Sequence, residues 1–290
     1  MIQGKDIESL VDLLMQRGVV LFHACQFLDL QSYLSLGGIP SRACLEASEL
    51  PFTQFETDGD DHVKEVWDRI FMNFSDFGKT FSDGHNGTPN PYGPILLKIG
   101  PEVLNEAEDV AICIQPVGSN GFINTELNSL KTISDIDRIF VYPTNIGYPK
   151  SAEVKYKSKL REEFGCAKPC DPDISCAVTR GKLALKYVRG ILVDPYSVSG
   201  KPLRDWVAAM FSPKAHHLIQ ERTSKRGHLY NELTSLIIKD VFSIWELAQS
   251  SYVSEELREW AQAIERQNLG YQFKRFASYL RDGTLLRISN

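Results

Sequence analysis

No stretch of this 290-residue sequence is long and apolar enough to suggest a membrane span. The longest nearly uninterrupted apolar run, Gly18 to Cys25, falls far below the roughly 18 to 20 residues that crossing a bilayer requires. The N-terminal segment MIQGKDIESLVDLLMQRG carries acidic residues where a secretion signal has an uncharged apolar stretch, so a cytoplasmic location is expected. Six cysteines without such a signal are expected to be reduced thiols rather than a disulfide framework. The spacing Cys166-x3-Cys170-x5-Cys176 lacks a tight C-x2-C knuckle and a nearby histidine, so no metal is expected. Low-complexity segments and repeats of solenoid length are also missing. With 20 Gly and 14 Pro in an ordinary globular composition, collagen, coiled coil and disorder are excluded.

The length suits one large domain, or one domain with a helical annex. Charge is divided unevenly. Residues 1–150 hold 10 Lys+Arg against 21 Asp+Glu, a net −11, whereas residues 151–290 hold 22 against 16, a net +6. A protein handling a polyanion can show such a basic half without a basic overall pI, because the local field attracts phosphate. Chance distribution over a solvated surface gives the same totals.

Residues 6–17 place Ile7, Leu10, Val11 and Leu14 on one helical face, with Gly18 as a stop. Residues 19–25 read as a buried strand, 28–38 as a short helix closed by Gly37 and Gly38, and 60–69 as a further helix. Strands are expected at 70–74, 93–99, 110–116, 137–143, 151–158 and 186–194, with a Gly/Asn/Pro-rich loop at 82–93. From about residue 203 helical periodicity takes over, over 228–250, 253–267 and 269–281. The expectation is an α+β domain over 1–200 followed by a helical extension over 201–290.

Two stretches carry candidate chemistry. If SAEVKYKSKLR (151–161) begins as a strand, Glu153, Lys155, Lys157 and Lys159 share one face. A catalytic carboxylate heading a lysine stripe that holds phosphates is one reading, and an exposed strand face with cross-strand ion pairs is the other. Around His23, the strand-end imidazole, Asp29 six residues on, and Ser41-Arg42 past a Gly turn could converge on a dinucleotide. The imidazole would take a ribose hydroxyl and the arginine the pyrophosphate or the adenine face. A histidine hydrogen-bonded within the core explains His23 equally simply.

In these blocks the sequence resembles the DarT-type ADP-ribosyltransferases, which modify nucleic acid. LFHACQFLDLQSYLSLGGIPSR is similar to the family's opening pattern, with Phe22-His23, Leu30, Leu34, the Gly pair and Arg42 in place. IFMNFSDFG (70–78) takes the place of an apolar strand followed by Phe-Asn-Pro-Arg, without the Pro-Arg. VGSNGFINTEL (117–127) resembles the Asp-Gly-Asn-Ala segment through Asn120 and Thr125, without the Asp. SAEVKY resembles the strand that carries the family's catalytic glutamate, and LALKYVRGILV (183–193) the closing strand. The resemblance spans residues 18–195. Asp29 stands where the family has Asn, Lys155-Tyr156 replaces Leu-Val, and the chain after 200 lies outside the pattern.

The resemblance implies an ADP-ribosyltransferase-like split β-sheet core and NAD+ as co-substrate. It implies Glu153 and Arg42 as catalytic residues, and His23, Asp29, Ser41 and Asn120 around the cofactor. Lys155, Lys157 and Lys159 would then hold a DNA or RNA substrate, with Arg69 as a further electrostatic candidate and Tyr156 and Phe164 available to stack on bases. It further implies a toxin or anti-phage effector neutralised by an antitoxin partner. Two other classes compete. Glu153-x-Lys155 after Asp135 or Asp137 imitates a PD-(D/E)xK metal-dependent nuclease, and the basic half alone suits a non-catalytic nucleic-acid-binding module.

Overall fold

Ile7, Leu10, Val11 and Leu14, the predicted helical face, are all buried on α1 (Lys5–Gln16), and Gly18, at φ +65°, ends the helix. The computed structural model describes all residues except 77, 80–89, 91, 120, 142–153, 156, 166–171, 225, 239–242, 267–269, 286–287 and 289–290. Its strands are β1 (Ile2–Gln3), β2 (Leu21–Cys25), β3 (Gly38–Pro40), β4 (Ile70–Asn73), β5 (Ile95–Ile99), β6 (Asp109–Cys113), β7 (Asp173–Ala177), β8 (Lys182–Ala184), β9 (Val188–Val193), β10 (Ser197–Val198), β11 (Lys201–Pro202) and β12 (Ile219–Glu221). The α-helices after α1 are α2 (Phe27–Leu36), α3 (Arg42–Ala47), α4 (Asp58–Val63), α5 (Thr125–Asn128), α6 (Ile133–Asp137), α7 (Lys157–Phe164), α8 (Leu203–Ala208), α9 (Gly227–Ile238), α10 (Ile244–Gln249), α11 (Glu255–Arg266) and α12 (Gly270–Leu280).

Eight strands form one sheet in the order β1-β6-β7-β4-β2-β5-β9-β12. All neighbours are antiparallel except β9 and β12. With helices around a large mixed sheet, the fold is α+β. No helix among the described residues is long and apolar enough to cross a membrane. Although β12 follows residue 200, it extends the main sheet, and helices α9 to α12 bury Leu233, Leu247, Leu257 and Phe273 in the same apolar cluster as β2 and β5. Trp260 and Phe273 meet edge to face at 5.9 Å within it.

Several expected elements take another form. The helix expected over 60–69 is limited to α4. The expected strand at 137–143 is preceded by α6, whose start is fixed by the Thr132 hydroxyl accepting from the Asp135 N–H, and Phe140 makes an isolated bridge to Val154. In the stretch 151–161, residues 151–153 and 156 lie outside the described residues, and helix α7 begins at Lys157. Straight-chain Lys, Leu, Arg and Glu favour that helix, and Leu160 is its buried anchor. Lys157 and Lys159 therefore do not extend a strand face. The expected helix over 228–250 contains two helices, α9 and α10, with Ser243 capping the second by accepting from Glu246 N–H.

Asp76, just past β4, is tied to the β9–β12 side of the sheet. Arg222, just past β12, donates from Nε to Asp194 at 2.7 Å and from an Nη to Asp76 at 2.6 Å. Arg222 and Asp194 are buried.

Candidate active site at the sheet seam

Between β2 and β4 the ladder is short. These strands share one registered pair, Phe22 opposite Asn73, whereas β2 and β5 share five and β4 and β7 share four. The eight strands thus divide into two four-stranded halves meeting at a seam, and His23 stands one residue beyond the shared pair. Its Nδ1 lies 2.7 Å from the Phe71 carbonyl oxygen and its Nε2 3.0 Å from the Tyr33 hydroxyl. A carbonyl only accepts, so Nδ1 carries the proton and Nε2 accepts from Tyr33. Burial lowers the His23 pKa below its ordinary value, against the pull of the Phe71 bond. Burial also pushes the Tyr33 hydroxyl well above its ordinary range, which keeps it a donor. His23 is a neutral imidazole with both nitrogens engaged, the arrangement of a core histidine. A ribose hydroxyl would reach Nε2 only by exchanging with Tyr33.

Asp29 does not face outward to a ribose, as expected from sequence; it is buried and holds backbone. One carboxylate oxygen accepts the Gln26 N–H at 3.1 Å, closing a reciprocal cap at the start of α2. The other accepts the Thr53 N–H at 2.8 Å. The Arg42 guanidinium stands 3.8 Å from that second oxygen. Residues 52–55 wrap this arginine, with the Phe52 and Phe55 ring centres 5.1 Å and 4.8 Å from its central carbon. Its Nη1 is buried and has no hydrogen-bond partner among the described residues. Gln26 Nε2 and Thr53 Oγ1, in the same neighbourhood through Asp29, are likewise buried without partners. Buried donors of this kind cost roughly 1–3 kcal/mol each unless something accepts from them. Ser41 caps α3, its hydroxyl accepting from Cys44 N–H at 3.2 Å.

The other predicted residues scatter. Glu153 and Asn120 lie outside the described residues. Lys155 pairs with Glu163 at 2.5 Å, Lys159 pairs with Glu162 at 3.3 Å on the exposed face of α7, and Lys157 is exposed. Arg69 is a buried structural arginine bonded to Ser175 and Asp109 at 2.9 Å and 2.6 Å. Asp135 pairs with Arg138 and Asp137 with Arg17, so both acids of the nuclease pattern are engaged in ion pairs. Thr125 is buried at the first position of α5.

Sequence reasoning missed Tyr33, Phe52, Phe55 and Asp173. Tyr33 falls one helical turn after Asp29, a spacing that puts both on one side of α2, and this was the available signal. Phe52 and Phe55 sit in a segment without periodicity. Asp173 opposes Asn73 and Cys113 in register, so it shares a sheet face with Asn73 and Phe22 on the row that crosses the seam. It is a buried carboxylate whose Oδ2 accepts the Val117 N–H at 3.2 Å. No protein-family model matches the chain, and no curated protein matches it significantly.

Proposed function

We propose that the protein is an NAD+-dependent ADP-ribosyltransferase that modifies nucleic-acid bases, acting as a toxin or anti-phage effector in the cytoplasm and held in check by an antitoxin. The observation that carries this reading is the Arg42 clamp beside the seam: a planar cation whose central carbon lies 5.1 Å and 4.8 Å from the Phe52 and Phe55 ring centres, with a buried Nη1 that stands 3.8 Å from Asp29 Oδ1 and makes no hydrogen bond among the described residues. A pyrophosphate oxygen suits that donor, since guanidinium–phosphate hydrogen bonds are charge-assisted and directional. The meeting of two four-stranded halves at His23 supports an ADP-ribosyltransferase-like split sheet, and in this reading the nucleotide lies along that seam.

Arg42 would neutralise the pyrophosphate, and His23 would orient a ribose hydroxyl through Nε2 while its Nδ1 stays locked on the Phe71 carbonyl. The glycosidic bond to nicotinamide breaks with its electron pair leaving on nicotinamide, and positive charge develops at the ribose C1′. A base nitrogen or hydroxyl of DNA or RNA attacks that carbon, and its proton passes to the Glu153 carboxylate, which also stabilises the cation before attack.

Incubation of the purified protein with labelled NAD+ and, separately, single-stranded DNA, RNA and a protein lysate tests the proposal. Label on one nucleic acid is expected; no label on any nucleic acid, or magnesium-dependent strand cleavage without NAD+, overturns it. In the same preparation Arg42→Ala is expected to weaken NAD+ binding by about 30-fold, the loss of one hydrogen bond to a charged group of about 2 kcal/mol. Arg42→Lys should recover only part of this, because an ammonium cannot stack as a planar fork between Phe52 and Phe55. Calorimetric titration reads both, and unchanged affinity in Arg42→Ala contradicts the assignment.

A further inference from the structure

Helix α12 and the turn that follows it, residues 281–285, lie outside the span that resembles any transferase, yet they touch the candidate site at two places. The Tyr279 hydroxyl accepts the Glu56 N–H at 2.8 Å. Its ring meets Phe55 edge to face, centres 4.7 Å apart, and Arg275 pairs with the Glu56 carboxylate at 3.1 Å. Phe55 is one of the two rings that hold Arg42. One turn further on, the fully buried Thr284 hydroxyl accepts the Phe27 N–H at 3.1 Å and donates to Gln26 Oε1 at 2.7 Å. Gln26 and Phe27 open α2, the helix that carries Asp29 and Tyr33. Between these contacts Gly283 passes so close that a Cβ there would fall on Thr53 Oγ1 and lie 2.7 Å from Gln26 Cβ.

Resting on the nucleotide reading above, we infer that Tyr279 and Thr284 are positioning residues of the candidate site: the C-terminal helix and turn set the pose of the Arg42 clamp and of the first turn of α2. Each contact ends on a group that itself holds a candidate residue. Tyr279 fixes Phe55 and Glu56, hence one wall of the arginine sandwich. Thr284 fixes Gln26, whose N–H is held by Asp29, which in turn faces Arg42 and pins Thr53. The near-isosteric changes are Tyr279→Phe, which deletes a hydroxyl, and Thr284→Val, which replaces one with a methyl. The first leaves the Glu56 N–H without its acceptor, and the second leaves the Phe27 N–H and Gln26 Oε1 without their partner. Losing one such hydrogen bond corresponds to about fivefold in an equilibrium constant.

The test reads two quantities in the full-length protein. Without nucleotide, amide hydrogen exchange of residues 50–58 is expected to rise about fivefold in either variant. With NAD+ as titrant, the Kd is expected to rise about fivefold, while kcat for label transfer at saturating NAD+ changes less than about twofold. His228→Gln, which changes an exposed side-chain contact with Glu256 in the same C-terminal segment, is expected to move neither quantity. Unchanged exchange over 50–58 in both variants overturns the inference, as does raised exchange with unchanged Kd. Wild-type protein that binds no NAD+ overturns the nucleotide reading and the positioning role together, a result distinct from wild-type binding that the two variants leave intact.

Discussion

Glu153→Gln is expected to lower the rate of label transfer from NAD+ to nucleic acid by about 1000-fold, within the 10²–10⁴ range for loss of a general base, while NAD+ affinity changes less than about threefold. The substitution keeps the shape and removes the charge. In the proposed reaction an amide would neither take the acceptor's proton nor stabilise positive charge at C1′, but it would leave the proposed Arg42 and His23 contacts to the nucleotide unchanged. Single-turnover measurement with saturating NAD+ separates the chemical step from binding. Asp173→Asn is the paired comparison, because Asp173 is a buried carboxylate on the residue row that crosses the seam. Full activity in Glu153→Gln with loss in Asp173→Asn would transfer the carboxylate's role to β7 and contradict the assignment to Glu153.

The second large effect is on stability. Arg222→Met is expected to destabilise the fold by about 3–5 kcal/mol, the usual result of removing one partner from a buried ion pair. Arg222 bonds Asp194 and Asp76 together, so a single change removes the cation that both carboxylates share and the link from Asp76, just past β4, to the β9–β12 side of the sheet. Burial pushes Asp194 up to about 6 against the pull of the arginine. In the variant that pull is gone, so Asp194 takes up its proton at a higher pH than in the wild type, and protonation relieves part of the cost. The deficit should therefore be largest at alkaline pH and shrink as pH falls toward 6. In the wild type, Asp194 binds its proton more readily folded than unfolded, so its own contribution to stability declines as pH rises from about 4 to about 6. Urea denaturation at pH 5 and pH 8 checks both statements, with a lowered midpoint and an unchanged slope expected for the variant. A deficit below about 1 kcal/mol at pH 8 would contradict the account of this network.

How much of this was legible in the sequence differs from element to element. Helix α1 was, because Ile7, Leu10, Val11 and Leu14 repeat at helical spacing and Gly18 stops them. Helix α2 was too, ending at Gly37 with the left-handed backbone that its sequence position suggested. Residues 157–161 misled because alternation and helical spacing coexist there, and lysines satisfy either pattern; the burial of Leu160 against the fold selects the helix. Strand β7 alternates polar and apolar residues, Asp173-Ile174-Ser175-Cys176, but a five-residue run buried on both faces is too short for that alternation to stand out. Three-residue β12 is too short to carry any period.

In the site, His23 and Arg42 could be singled out from residue type and place, but their surroundings could not. Asp29 looked like a ligand for ribose and proved to be the keystone of a backbone cap. Its cap partner is Gln26 rather than the Ser, Thr, Asp or Asn that usually signals one. The Phe52–Arg42–Phe55 sandwich joins residues with no common spacing, and the contacts from Tyr279 and Thr284 reach across more than two hundred residues of chain. Such relations arise from tertiary packing alone.

The central claim, that NAD+ enters the seam at His23, is tested most directly by nitrogen NMR of the histidine ring in selectively labelled protein. At pH 7 the free protein should show a neutral His23 ring protonated at Nδ1. Saturating NAD+ should shift the Nε2 resonance as a ribose hydroxyl replaces that of Tyr33, and leave Nδ1 bonded to the Phe71 carbonyl. A His23 spectrum that does not change at NAD+ concentrations supporting label transfer would place the nucleotide elsewhere and contradict the account.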